Sequence, residues 1–165
     1  MDLNPRRAGL VVAVFALAAT PAALATHIVA TPPEKPIYDE SADAHQQVAA
    51  AIAQASKSGK NIVLDFGANW CGDCHALDAQ MRQPELAGLI AKSYVVVHID
   101  VGTMNKNLDM ARKYGIPLNK GIPALAVLDS HGKLLYSQDQ GQFEDARHLG
   151  RDAFQQFFEQ WKPKG

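Results

Sequence analysis

The chain has 165 residues, a length for one domain, and its 47% hydrophobic and 20% charged residues allow a packed core and exclude global disorder. The formal charge is −1 and no Lys/Arg run clusters on one face, which sets nucleic-acid binding aside.

The first residues read as a targeting segment. "MDLNPRR" carries two arginines, "AGLVVAVFALAAT" is apolar, and "PAALA" ends in small residues. That order predicts a secretory signal peptide over 1–25, cleaved after Ala25, with Ala23-Leu24-Ala25 matching A-x-A. A membrane anchor is the competing reading, but the apolar run is shorter than the ~20 residues a spanning helix needs. The pair Arg6-Arg7 fits either general or twin-arginine export. Cleavage leaves a mildly acidic chain with no membrane span, and an exported protein of this style belongs in the bacterial periplasm, where thiols tend to be oxidised.

Residues 26–40, "THIVATPPEKPIYDE", hold three prolines and no apolar period, so an extended linker is expected before a domain over 41–165. "SADAHQQVAAAIAQASKS" (41–58) places Val48, Ile52 and Ala55 on one face of a helix ended by Gly59. "NIVLDF" (61–66) is a buried strand. "CGDCHALDAQMRQ" (71–83) has helical spacing at Cys74, Leu77 and Met81; Pro84 kinks or interrupts it, and "ELAGLIAK" (85–92) continues.

"YVVVHIDV" (94–101) is a second strand and "MNKNLDMARKYG" (104–115) a helix closed by Gly115. "ALAVLD" (124–129) and "KLLYS" (133–137) form a hairpin around "SHG", with Gly132 in the turn. "FEDARHLGRDAFQQFFEQW" (143–161) is a last helix weakened at Gly150, with Phe154, Phe157, Phe158 and Trp161 as its apolar face. Crossover connections early and a hairpin late predict an α/β fold: a mixed central sheet of about four strands flanked by helices on both faces.

The only two cysteines, Cys71 and Cys74, stand where the first strand turns into a helix. Unpaired N–H groups and the helix dipole favour a thiolate there, which lowers a cysteine pKa from ~8.5 toward ~3.5–7.5. Cys71 is then an exposed attacking thiol and Cys74, one turn on and facing the core, the resolving one. Two other readings compete. A fixed staple is disfavoured because so small a loop constrains little of the unfolded chain. A metal site using Cys71, Cys74 and His75 lacks a second ligand pair, since His27, His45, His98, His131 and His148 are scattered.

On these residues the chain resembles a known family. "IVLDFGANWCGDC" is similar to the active-site strand and loop of the thioredoxin superfamily, and "KYGIPLNKGIPALAVLDSHGKLL" to its second half; the likeness spans roughly residues 45–160. Within the superfamily, "WCGDCHALDAQMRQPELAGLIAKSYVVVHIDV" looks closest to periplasmic thioredoxin-like proteins, including the C-terminal domain of the transmembrane disulfide reductase.

The resemblance implies a nucleophile at Cys71, a resolving thiol at Cys74 and an aromatic shield at Trp70. It places the family's cis-proline at Pro123, with the Ile122 backbone facing the disulfide and a bound peptide; Pro117 is the rival. Asp65 falls on the family's interior carboxylate, a proton acceptor for Cys74. Departures are Asp73 in place of proline, His75 four residues after Cys71, Val96 in place of the lysine near the buried carboxylate, and two inserted residues that put "PLNK" (117–120) in place of a tighter link. Asp73 opposes a thiolate and a His75 ring leaning back along the helix shelters one, so both modulate Cys71.

The expected activity is therefore periplasmic thiol–disulfide exchange with protein thiols and disulfides, in the reducing direction, with no cofactor and a membrane reductase as candidate electron donor. The alternative is a thioredoxin-fold metal-binding or adaptor module without redox turnover.

Overall fold

The computed structural model describes Met1 and residues 36–164; the expected signal peptide and most of the 26–40 linker lie outside the described residues. The part of that linker that is described is not a free tether. Residues 36–40 pack as a strap on the domain, with Tyr38 only 1% exposed.

Helix α1 spans Ala44–Ser58, three residues later than the periodicity suggests. Asp43 is its N-cap, accepting from the His45 and Gln46 N–H groups, whereas Ser41 spends its own N–H and hydroxyl on Asp39. Gly59 closes it at φ 69°, the left-handed cap that glycine adopts freely. Strand β1 (Asn61–Gly67) is buried along its whole length.

Helix α2 (Gly72–Met81) does not run on through the proline: Gln83 is extended, as a residue before proline prefers, and Pro84 opens a separate helix α3 (Pro84–Ser93). β2 covers Tyr94–Asp100. α4 is confined to Leu108–Lys113, shorter than its apolar period implies, because Met104 and Asn107 take positive φ in the preceding loop and the Asn107 amide donates to the Asp100 carbonyl at 2.8 Å.

The "PLNK" stretch contributes a 3₁₀ turn over Leu118–Lys120. β3 (Ala124–Leu128) and β4 (Leu134–Ser137) form the hairpin. The last helix, α5, occupies Arg151–Trp161. Gly150 begins it rather than weakening its middle, and Ala146–His148 form a separate 3₁₀ turn.

The sheet order is β2-β1-β3-β4, with β1 and β2 parallel and the other neighbours antiparallel. α1 and α4 cover one face, where Val48, Ala55, Leu64, Phe66, Ile99 and Met110 share a core. α2, α3 and α5 cover the other, around Val63, Leu77, Leu125, Phe154 and Phe158. Burying each such large side chain contributes about 1.5–3 kcal/mol. Two polar residues interrupt apolar β1. Asn61 is explained by its amide bond to the Trp161 carbonyl at 2.8 Å; the other, Asp65, belongs to the site. Among the described residues no helix is long and apolar enough to cross a membrane.

Candidate active site

β1 delivers its chain end to the start of α2, and the two cysteines sit at that junction. Cys71 and Cys74 are joined as a disulfide. Cys71 is the N-cap of α2, extended at φ −82° and ψ 111°, and its sulfur accepts the Cys74 N–H at 3.1 Å. This satisfies one of the orphan donors of the first helical turn.

Cys74 is fully buried as expected, but Cys71 is not the open thiol anticipated: it is only 4% exposed. The cover is the loop before β3. Its Ile122–Pro123 peptide bond is cis, and the Ile122 carbonyl oxygen lies 3.5 Å from Cys71 Sγ. Among the described residues no other peptide bond is cis, so the rival Pro117 is trans. Gln138, itself fully buried, braces this loop by accepting the Leu125 N–H at 3.1 Å and donating to the Pro123 carbonyl at 3.2 Å.

Around the pair stand the other expected residues. Trp70 is 60% exposed, its indole N–H held by the Gly102 carbonyl at 2.8 Å. The His75 ring leans back toward the helix start, with Nε2 at 2.7 Å from the Asn69 carbonyl. Asp73 faces Arg147, whose side chain and backbone N–H all bind its carboxylate. The Arg147 guanidinium holds the Asp73 carboxyl below the usual range, through hydrogen bonds first and charge second.

Asp65 is fully buried on β1, and here the structure adds partners that the motif does not reveal. Its Oδ2 accepts from the Tyr38 hydroxyl at 2.9 Å and meets His98 Nδ1 at 2.9 Å. An unpaired carboxylate in so buried a place is costly, and these two bonds compensate it. Burial, reinforced by the Asp65 charge, pushes the Tyr38 hydroxyl pKa up strongly. Burial alone lowers the His98 pKa, but the hydrogen bond and charge of Asp65 outweigh it and the net shift is upward. His98 is the register partner of Asp65, while Val96, the residue at the family's lysine position, pairs with Val63.

Besides the Tyr38 hydroxyl and a Lys106 bond to the Glu40 carbonyl, the strap is held by the Asn69 side chain. Asn69 Oδ1 accepts the Ile37 and Tyr38 N–H groups, each at 3.0 Å, and its amide donates to the Tyr38 carbonyl and to Glu40. Only the apolar Ile37-Tyr38 pair inside a proline-rich stretch signals this in the sequence.

A thioredoxin-like family model matches residues 43–130. The chain belongs to the thioredoxin-like family. It is 42% identical to a disulphide isomerase of Xylella fastidiosa Temecula1, over 77% of this chain and 97% of that one, with a TM-score of 0.73. The oxidised C-terminal domain of Neisseria meningitidis DsbD is 25% identical over 73% and 97% of the two chains, with a TM-score of 0.51. With its CxxC disulfide on this fold, the thioredoxin-like chain is a thiol–disulfide oxidoreductase.

Proposed function

We propose that this oxidoreductase works in the periplasm and passes electrons to protein disulfides through Cys71, a membrane reductase restoring its own dithiol. Export is supported by the leader-like residues 1–25. The observation that carries the direction is the Ile122 carbonyl oxygen 3.5 Å from Cys71 Sγ. Its partial negative charge opposes a thiolate and offsets part of what the Cys74 N–H and the helix start contribute, and a couple whose reduced form is less stabilised is more reducing. The Asp73 charge, expected to act the same way, is instead neutralised by Arg147 and adds little.

The reaction has two displacements. The Cys71 thiolate attacks a substrate disulfide, forming a mixed disulfide and expelling one substrate sulfur as thiolate. Cys74 then loses its proton, for which Asp65 is the acceptor, and attacks Cys71 Sγ; the mixed disulfide breaks and its electron pair leaves on the second substrate sulfur. Trp70, Ile122 and Pro123 border the sulfur and receive the substrate peptide, while Asp73 and His75 modulate Cys71.

The 42% identity to a disulphide isomerase favours a second reading, in which Cys71 reshuffles bonds and Cys74 acts only to release trapped substrates. Both start from the reduced pair. The test is turnover on a disulfide-bonded protein with a thiol donor. Cys71→Ser abolishes reduction and reshuffling alike; intact exchange in that variant contradicts the proposal. Cys74→Ser traps mixed disulfide if reduction is the task, but keeps reshuffling a scrambled protein if isomerisation is.

A further inference from the structure

The strap places Tyr38 between the two groups on which the second displacement depends. Its hydroxyl donates to Asp65 Oδ2 at 2.9 Å. It also shares with the Cys74 sulfur the space over Gly67: a Cβ on that glycine would lie 2.1 Å from the Tyr38 oxygen and 2.9 Å from Cys74 Sγ. Gly67 follows Asp65 by two residues on β1, so both positions present the same face of the strand. The missing side chain leaves a space that hydroxyl and sulfur both border.

On the far side of Asp65, His98 meets the same oxygen, and its ring stands edge-on to Tyr38 with centroids 5.5 Å apart. The His98 side chain is 26% exposed and lines a surface cleft of about 320 Å³ between α1 and β2. Asp65 Oδ1 is buried without a hydrogen-bond partner among the described residues, which leaves the carboxylate an open acceptor.

We propose that Tyr38 relays the Cys74 proton to Asp65 and that His98 carries it on to solvent, making both residues working parts of the resolving displacement. The inference rests on the thiol–disulfide exchange reading above. In the mixed disulfide, the Cys74 S–H gives its proton to the Tyr38 oxygen as Tyr38 gives its own to the Asp65 carboxylate. The freed sulfur pair bonds to Cys71 Sγ, and the Cys71–substrate bond breaks with its electrons on the substrate thiolate. Once Asp65 is protonated and the His98 ring is neutral with its proton on Nε2, the proton enters the ring at Nδ1 as the Nε2 proton departs to water, and exchange with solvent returns the ring to that tautomer. Tyr38 never carries net charge, in keeping with a hydroxyl that burial holds protonated.

Other charges facing this network are engaged elsewhere. Asp78 of α2 pairs with Arg82, the residue after that helix, at 2.6 Å, Asp100 of β2 pairs with Lys106 at 2.9 Å, and Asp39 at the cleft binds Ser41. The pH dependence of resolution therefore belongs to Cys74, Tyr38, Asp65 and His98.

The test follows both displacements by acid-quenched rapid mixing of the reduced full chain with a small disulfide-bonded protein across pH. Tyr38→Phe removes one oxygen and keeps the ring. It should accumulate mixed disulfide because resolution slows roughly tenfold or more, the range of a lost proton-transfer group, while attack changes far less. His98→Gln should change the pH profile of resolution without a matching change in attack. Resolution at the wild-type rate in Tyr38→Phe at every pH, or equal slowing of both steps, overturns the relay. A wild-type chain that forms no mixed disulfide at all overturns the exchange reading, and the relay with it.

Discussion

Asp73, in the first turn of α2, and Arg147, in the turn before α5, form a two-point ion pair: Nε lies 3.1 Å from Oδ1 and Nη2 3.0 Å from Oδ2. The Arg147 backbone N–H adds a third bond to Oδ1 at 3.0 Å. The pair ties the segment before α5 to the active-site helix and sets part of the charge near Cys71, the proposed nucleophile. An acid between the two cysteines would raise the Cys71 pKa, and Arg147 cancels much of that effect at its source.

Arg147→Ala should therefore raise the Cys71 thiol pKa and slow its attack at neutral pH, while Asp73→Asn should lower that pKa. Thiolate absorbance of the reduced protein against pH reads both. The shift should shrink as salt rises, because the arginine is exposed and its field is screened. Identical titrations in both variants would remove Asp73 from the set of modulating residues.

The Asp65–His98 contact predicts how stability depends on pH. A histidine whose folded pKa is raised contributes stability that is fully present below its unfolded value, 6.5, and lost as pH rises through the folded one. The thermal midpoint of the wild type should exceed that of His98→Gln most at mildly acid pH, and the gap should narrow on the alkaline side. A gap that widens with pH would mean that the neutral ring, not the ion pair, makes the contact count.

Why these partners escaped the sequence reading is physical. Hydrophobic runs mark β1, β2 and β3 because burial demands them, while β4, with Leu134 and Leu135 exposed, is legible from its hairpin turn; the Cys71–Cys74 spacing is legible because it is local, and Pro123 through the family resemblance. Tyr38 and His98 reach Asp65 from 27 and 33 residues away, and only strand register and the path of the strap bring them together. The helix starts misread for a related reason. At Asp43, Pro84, Asn107 and Gly150 the capping group or backbone angle outweighs the apolar period that runs past it.

Asn69→Ala should release the strap. It removes the side chain that binds Ile37, Tyr38 and Glu40, leaving half-buried backbone groups unpaired at a cost of about 1 kcal/mol. Hydrogen exchange at residues 36–40 should accelerate, with β1 and β3 staying protected. Uniform loss of protection would show that the strap folds as one unit with the core.

Gly67→Ala should cost about 1–3 kcal/mol in urea denaturation, the range for forcing a methyl into a filled space, because its Cβ meets the Tyr38 hydroxyl and the Cys74 sulfur. Pairing it with Tyr38→Phe should recover part of the loss, since that change removes the nearest atom. Strictly additive losses would place the strain elsewhere.

In the proposed function the Cys71–Cys74 couple is poised to give electrons away. Its equilibrium reduction potential, measured against glutathione buffers on the full chain, tests this most directly. A value toward the reducing end, about −270 mV, is expected; one of about −120 mV would make the protein an oxidant and overturn that poise.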